Sequence, residues 1–408
     1  MLTHRIPYPP DRGDRIRSYH ILRQLAEHFE VSLACTTDRP ADLDQQRIVK
    51  QLTSRLAIQR ISSQSSKLRG GISFLCGQAV TPSVFFCPQL ARTIIDWHHQ
   101  RPFDALFTYC TGMIRYARVL TNGTCSPPSR HVLDLVDVDS LKWREYAGQS
   151  VNPKRWIYAA ESRRLRRIES GKDDYLDAIT VVSDAEAEVY RREVGHFSRL
   201  FVVGNGVDLE YFNPLPDSDS RSMVFIGVLN YKPNVDAIVW FVERVMPLLG
   251  KRVADARLRI VGRDVSPRVR QLARYKNVEV VGPVPDVRRQ LSQASVVIAP
   301  LRISPGIQNK VLEAMSSARA VVCSPGAAQG ITAVDGVHLL TSKSPHEYVS
   351  HITRLMNFKS HRQAIAAAAR KRLEEQYSWS QMLLPMIELV RGTRLAGDEN
   401  QRPMFDAA

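Results

Sequence analysis

The sequence predicts an α/β chain made of two Rossmann-like domains with parallel sheets. Its 408 residues, 44% apolar and 24% charged, are enough for two domains of about 150–200 residues, each with a buried core. Short apolar runs alternate with longer amphipathic segments from end to end, which is the rhythm of strands joined by helical crossovers. The apolar runs also show little two-residue alternation, as expected of strands covered on both faces.

In the first half, apolar runs predict strands at 31–35, 105–109, 131–135, 178–182 and 200–203. Amphipathic stretches between them predict helices at 16–29, 89–100, 111–120, 153–172 and 184–193. Only residues 1–5 are left to form a strand before the loop around YPPDRGD, so the opening strand is either very short or cut off by the start of the recorded chain. The second half is more regular. Strands at 223–226, 258–261, 278–281 and 296–299 lead to helices at 234–249, 267–275, 286–293 and 307–317, and 320–323 begins another cycle.

The segment NPLPDSDSR, 213–221, is polar, carries two prolines and has no apolar period, so it is expected to link a first domain, 1–212, to a second, 222–377. From Ser378 a last helix, to 392, has an apolar face that needs a partner, the first domain being one choice. Residues 393–408 are expected to form a flexible tail.

Six cysteines are scattered without CxxC or Cys/His spacing, so reduced thiols and no metal site are expected. No apolar stretch of about 18 residues or leader-like segment occurs, which argues for a cytoplasmic protein. The formal charge of +15 calls for anionic partners: nucleic acid, phospholipid or phosphorylated substrate. Zinc, helix-turn-helix and RNA-binding signatures are missing, which disfavours nucleic acid. Much of the charge, Lys154, Arg155, Arg163, Arg164, Arg166, Arg167 and Lys172, falls on one predicted helix. Trp156, Ile157, Tyr158, Leu165 and Ile168 are interleaved with it, a pattern that suits an anionic bilayer or a solvated basic face.

Four stretches carry candidate chemistry. In PYPPDRGDRIRSYH, Gly13 opens a helix beside Arg12, Arg15 and Arg17, so backbone N–H groups can receive an anion; a surface turn reads the same way. In HVLDLVDVDSLKW, Asp134, Asp137, Asp139 and Ser140 end a strand, where parallel sheets place sites, although helix capping also accounts for them. In FVVGNGVDLEYFNP, Asn205-Gly206 forms a turn that either lines a site or simply connects. In SPGIQNKVLEAMSSARAVVCSPGAAQG, Gly306 and Ile307 open a helix. Lys310 and Glu313 lie three apart on it, a spacing that lets a cation meet a diphosphate while a carboxylate accepts ribose hydroxyls; a plain ion-paired surface helix has the same spacing, but need not be flanked by glycine-rich turns on both sides.

Together with FIGVLNYKPNVDA, DLVDVDS, VVSDAEAEVY, NGVD and NKVLEAM, these stretches resemble glycosyltransferase family 4 over nearly the whole chain, and more narrowly its bacterial exopolysaccharide-associated members. The resemblance implies the GT-B fold, in which two Rossmann-like domains face one another and the second holds the nucleotide. It implies a retaining, metal-independent transfer from a nucleoside diphosphate sugar, expected to be UDP-linked, with no further cofactor. The acceptor is expected to be a glycan or a polyprenyl-linked lipid, and the protein to sit peripherally on the inner face of the plasma membrane.

Carried onto this chain, Gly13 and Arg15 fall near the donor, Glu313 matches the ribose-binding glutamate, and Lys310 and Val311 lie by the diphosphate and nucleoside. Gly227, Gly262 and Val284 match turns around the nucleotide. The sequence departs from the family in three places. Pro305 replaces the first glutamate of the spaced pair, and no arginine follows Gly227, leaving Lys232 as the nearest cation. The first-domain histidine is missing, with Asp137 and Asp139 in roughly that region. Asp137, Asp139 and Lys310 are therefore the expected catalytic groups. A degenerate sugar-nucleotide-binding protein and a UDP-sugar epimerase are the alternatives.

Overall fold

The computed structural model describes residues 1–10, 13–38, 40–121, 126–171, 176–302 and 308–393. They form two compact units: Met1–Gly204 joined by the chain from Leu383 onward, and Asn205–Met382.

The first unit holds β1 (Leu2–Thr3), β2 (Ser32–Thr37), β3 (Arg55–Arg60), β4 (Ala105–Tyr109), β5 (Arg130–Val136), β6 (Ala178–Val181) and β7 (Leu200–Val202). They pair in parallel in the order β3-β2-β1-β4-β5-β6-β7. The opening strand is two residues long, yet Leu2 pairs with both Ala34 and Thr108. Strand β3 escapes a sequence reading because it is an edge strand: RLAIQR is half-buried along most of its length and lacks a continuous apolar run. The helix Asp139–Gly148 is likewise unexpected, its short span merging with the aspartate-rich turn before it.

The second unit holds β8 (Ser222–Ile226), β9 (Arg257–Val261), β10 (Val278–Gly282), β11 (Val296–Ala299), β12 (Ala320–Cys323) and β13 (Leu340–Thr341). All are parallel, in the order β10-β9-β8-β11-β12-β13. Along β8, Met223 and Phe225 enter one buried cluster and Val224 the other; along β11, Val296 and Ile298 oppose Val297 and Ala299 in the same way. Both faces are therefore apolar, which is the physical cause of the missing alternation in the sequence.

Residues 213–221 belong to the second unit, although their composition reads as a linker. Leu215 N–H donates to Ser317 O at 3.2 Å. The Arg362 guanidinium grips Asp217 and Asp219 at 2.8–3.0 Å, and the Arg319 guanidinium donates to Pro216 O. A polar segment with buried arginine partners is as fixed as an apolar one. Just before it, Val207 N–H donates to Tyr377 O at 2.8 Å. A Cβ on Gly206 would come within 2.7 Å of the Trp379 backbone, so the NG turn exists for close backbone approach.

The last helix, Trp379–Arg391, starts in the second unit and enters the first at Leu383. There Leu383, Met386, Ile387 and Leu389 are buried, Val390 lines a cavity with Leu2, Leu25 and Phe29, and Arg391 lies over the Phe29 ring. Among the described residues no helix is long and apolar enough to cross a membrane.

Candidate functional site

In each sheet the strand order reverses beside the first strand, between β1 and β4 and between β8 and β11. Loops leave the carboxyl ends of such strands in opposite directions and open a crevice, so these are the places where open parallel sheets bind ligands.

In the second unit, Gly227 follows β8 and Asn309–Ser316 is the helix after β11. Val311, Leu312, Ala314 and Met315 turn into the core, which leaves Lys310 and Glu313 on the opposite edge. Lys310 Nζ donates to Asn234 Oδ1 at 2.6 Å and stands over the Phe225 ring at 4.8 Å. Asn234, itself buried, donates to Val228 O at 2.9 Å. A Cβ on Gly227 would lie 3.1 Å from Lys310 Nζ. On Gly262, which follows β9 with φ +152°, a Cβ would lie 1.6 Å from Gly227 O. The two glycines therefore let the ends of β8 and β9 meet backbone to backbone, with the lysine at their rim.

Burial lowers the Lys310 pKa to about 8, against the attraction of Glu313. Burial also raises Glu313 to about 7, against the attraction of Lys310. A cation and a carboxyl that are both short of solvent are poised for an anionic, hydroxyl-bearing ligand.

The other expected nucleotide contacts are spread more widely. Lys232 stands exposed at the start of the helix Lys232–Trp240, and Val284 packs against the core. The Val311 side chain is buried and its N–H already donates to Gln308 O. Gly306, Ile307 and Pro305 lie outside the described residues, as does Arg12. Asn234, in FIGVLNYKPNVDA two residues after Lys232, carries no sequence signal of its own and fixes the lysine across the crevice.

In the first unit, Asp137 and Asp139 share Lys142, whose Nζ lies 3.2 and 3.3 Å from their carboxylates. Burial raises the Asp139 pKa despite Lys142. Asp134, by contrast, is buried beneath them. It accepts from Arg17 Nε and Nη2 at 2.8 and 2.9 Å and from Thr180 Oγ1 at 2.8 Å, so it anchors the helix Gly13–His28 to the sheet. Asp134 lies on β5, which ends at Val136 with φ +64°, so Asp137 and Asp139 stand beyond the strand, in the turn and at the start of the next helix. Arg15 is buried, and Gly13 has open space where a Cβ would project.

His4, which no motif marks, directly follows β1 at the strand reversal. Its Nε2 lies 3.4 Å from Asp14 Oδ2 and its Nδ1 3.4 Å from Cys110 Sγ. Burial opposes its charge, but Cys110 and Asp14 outweigh that and raise its pKa to about 9. Among the described residues no group of three or more His, Cys, Asp or Glu is placed to hold a metal ion.

The comparisons with known proteins agree with this architecture. The class is set by the fold: two parallel-stranded Rossmann-like domains, as in the GT-B glycosyltransferases. Residues 220–357 match the family described as glycosyl transferases group 1. Sucrose-phosphate synthase from Thermosynechococcus elongatus is similar at 14% identity, with 96% of this chain and 98% of that one covered and a TM-score of 0.67. A glycosyltransferase from Rickettsia africae is similar at 11% identity, with 96% and 97% covered and a TM-score of 0.63. Anabaena HepE, solved in complex with UDP-glucose, is similar at 12% identity, with 96% and 98% covered and a TM-score of 0.60. Comparison with curated proteins finds no match at the level of sequence.

Proposed function

We propose that the chain is a retaining glycosyltransferase that takes a sugar from a UDP-sugar and needs no metal. The observation that carries this reading is the placement of Lys310, Asn234 and Glu313 at the strand reversal of the second unit, within the segment that matches the glycosyltransferase family. The HepE complex with UDP-glucose supports the choice of nucleotide.

In this reading Lys310 faces the diphosphate and Glu313 accepts the ribose hydroxyls. As the bond from the anomeric carbon to the phosphate oxygen breaks, its electron pair moves onto the departing UDP, and Lys310 offsets the growing charge. The acceptor oxygen bonds to the anomeric carbon from the same face, and its proton passes to the departing phosphate. The acceptor is read onto the first unit, where Asp137 and Asp139 orient its hydroxyl. A glycan or polyprenyl-linked acceptor in exopolysaccharide synthesis fits the basic, amphipathic surface of that unit.

The test is calorimetric titration with UDP and a coupled assay for UDP release. Glu313→Ala is expected to weaken UDP binding about tenfold or more, since a charged hydrogen-bond acceptor contributes roughly 1.5–3 kcal/mol. Unchanged UDP affinity in Glu313→Ala would remove the basis of the assignment.

A further inference from the structure

The first unit carries a second concentration of charge, on helices away from its strand ends. A surface cleft of about 700 Å³ is lined by Arg115, Arg118, Arg163, Arg164 and Arg167, and no carboxylate is among the described residues that line it. The five come from two helices, Ile114–Thr121 and Lys154–Glu169. Aromatic rings hold two of them in place: Arg115 lies over Phe86 at 4.3 Å and Arg164 over Phe74 at 4.7 Å. Burial lowers the Arg115 pKa, and Arg69 and Arg118 lower it further. Both acids of the longer helix, Glu161 and Glu169, are buried, and Glu161 is turned inward. It accepts from Val80 N–H, Thr81 N–H and Thr81 Oγ1 at 2.7–2.8 Å.

Joined to the cleft through Phe74 and Gln78 is an exposed apolar stripe. In the helix Ser63–Leu75, residues Leu68, Ile72 and Leu75 recur at helical spacing and are 67%, 53% and 85% exposed. The end of this helix is tied to the arginine cluster, since Arg164 stacks on Phe74 and donates to Gln78 O at 2.9 Å. On the longer helix, Trp156 is 69% exposed and shares a face with Ala160, Arg163 and Arg167 by helical spacing. Arginines beside an exposed apolar stripe, rimmed by tryptophan, form the pattern of a surface that lies in a bilayer interface.

We propose that this face docks on an anionic membrane, the arginine cleft taking a lipid phosphate headgroup while Leu68, Ile72, Leu75 and Trp156 enter the acyl boundary. It deepens the reading of a membrane-borne acceptor and rests on that reading for its purpose. The binding itself is separable from nucleotide recognition in the second unit.

The full chain is sedimented with vesicles of phosphatidylcholine, with or without about one third phosphatidylglycerol. It is expected to bind only the anionic vesicles and to be released by salt, because exposed charges are screened. Arg163→Ala/Arg167→Ala is expected to weaken binding at least tenfold, at roughly fivefold per arginine. Ile72→Ser/Leu75→Ser is expected to weaken it comparably, and both substitute exposed side chains. The charge-matched control Arg268→Ala/Arg270→Ala, on the second unit, is expected to bind as the unaltered chain does.

Equal loss in that control assigns the effect to net charge and overturns the proposal. So does binding to neutral vesicles as tight as to anionic ones. Displacement by millimolar inorganic phosphate with the apolar variant unaffected assigns the cleft to a soluble anion and overturns it too. UDP titration of the same proteins keeps the readings apart: lost UDP binding with intact vesicle binding sinks only the glycosyl-transfer assignment.

Discussion

At the scale of single residues, the proposed grip on the nucleotide turns on one buried cation and the proposed turnover on one exposed carboxylate. The Lys310 pKa is lowered to about 8 by burial, so its proton is lost as pH rises through that value, well below the range of an exposed lysine. An anionic diphosphate favours the protonated form. UDP affinity is therefore expected to fall as pH rises above about 8, by up to about tenfold per pH unit for one linked proton. Lys310→Met is expected to lower affinity and flatten this limb; calorimetric titration between pH 6.5 and 9.5 measures both. In the first unit, Asp137 is exposed and its carboxylate lies 3.2 Å from Lys142 Nζ. Asp137→Asn is expected to lower the rate of UDP release at least tenfold while leaving UDP affinity unchanged, as read by steady-state kinetics beside titration.

At the scale of elements, backbone proximity and a buried ion pair hold the strand ends in register. Gly262→Ala places a Cβ against Gly227 O, and neither atom belongs to a flexible side chain. The ends of β8 and β9 must separate, which costs several kcal/mol by overpacking and backbone strain and displaces Lys310 with them. Thermal unfolding and UDP titration should fail together in this variant.

Arg17 and Asp134 are 1% and 0% exposed and tie the first long helix to β5. Asp134→Asn leaves the guanidinium buried without its counter-charge and is expected to cost about 3–5 kcal/mol in denaturant unfolding of the first unit. This aspartate lies three residues before Asp137 in one quoted stretch, and sequence alone leaves it a site candidate. Its partner is 117 residues away, so only folding reveals its structural role.

At the scale of the whole molecule, the two units differ in how they close. The second runs unbroken from Asn205 to Met382 and contains two apolar clusters, one on each face of its sheet. The fragment 205–382 is expected to unfold cooperatively on its own and to bind UDP, as circular dichroism and calorimetry would show. The first needs both chain ends. Without the final helix, Leu2, Leu25, Phe29 and Ile94 lose the cover that Val390 completes, so a fragment ending at Gly204 is expected to aggregate or unfold at lower temperature than the full chain.

By itself the sequence determined the class of fold and the place of most strands. Both faces of the inner strands are buried, so the chain spells them as continuous apolar runs of strand length, and the helices between them carry their own period. It also determined that Lys310 and Glu313 share a helix edge, because three residues make nearly one turn. Only the tertiary structure decided what those side chains meet. Asn234 reaches Lys310 across 76 residues, and His4 meets Cys110 across 106. The polar stretch 213–221 becomes part of a domain through Arg319 and Arg362. Contacts between distant segments leave no local period or propensity in the chain, so they become visible only when the sheets bring their ends together.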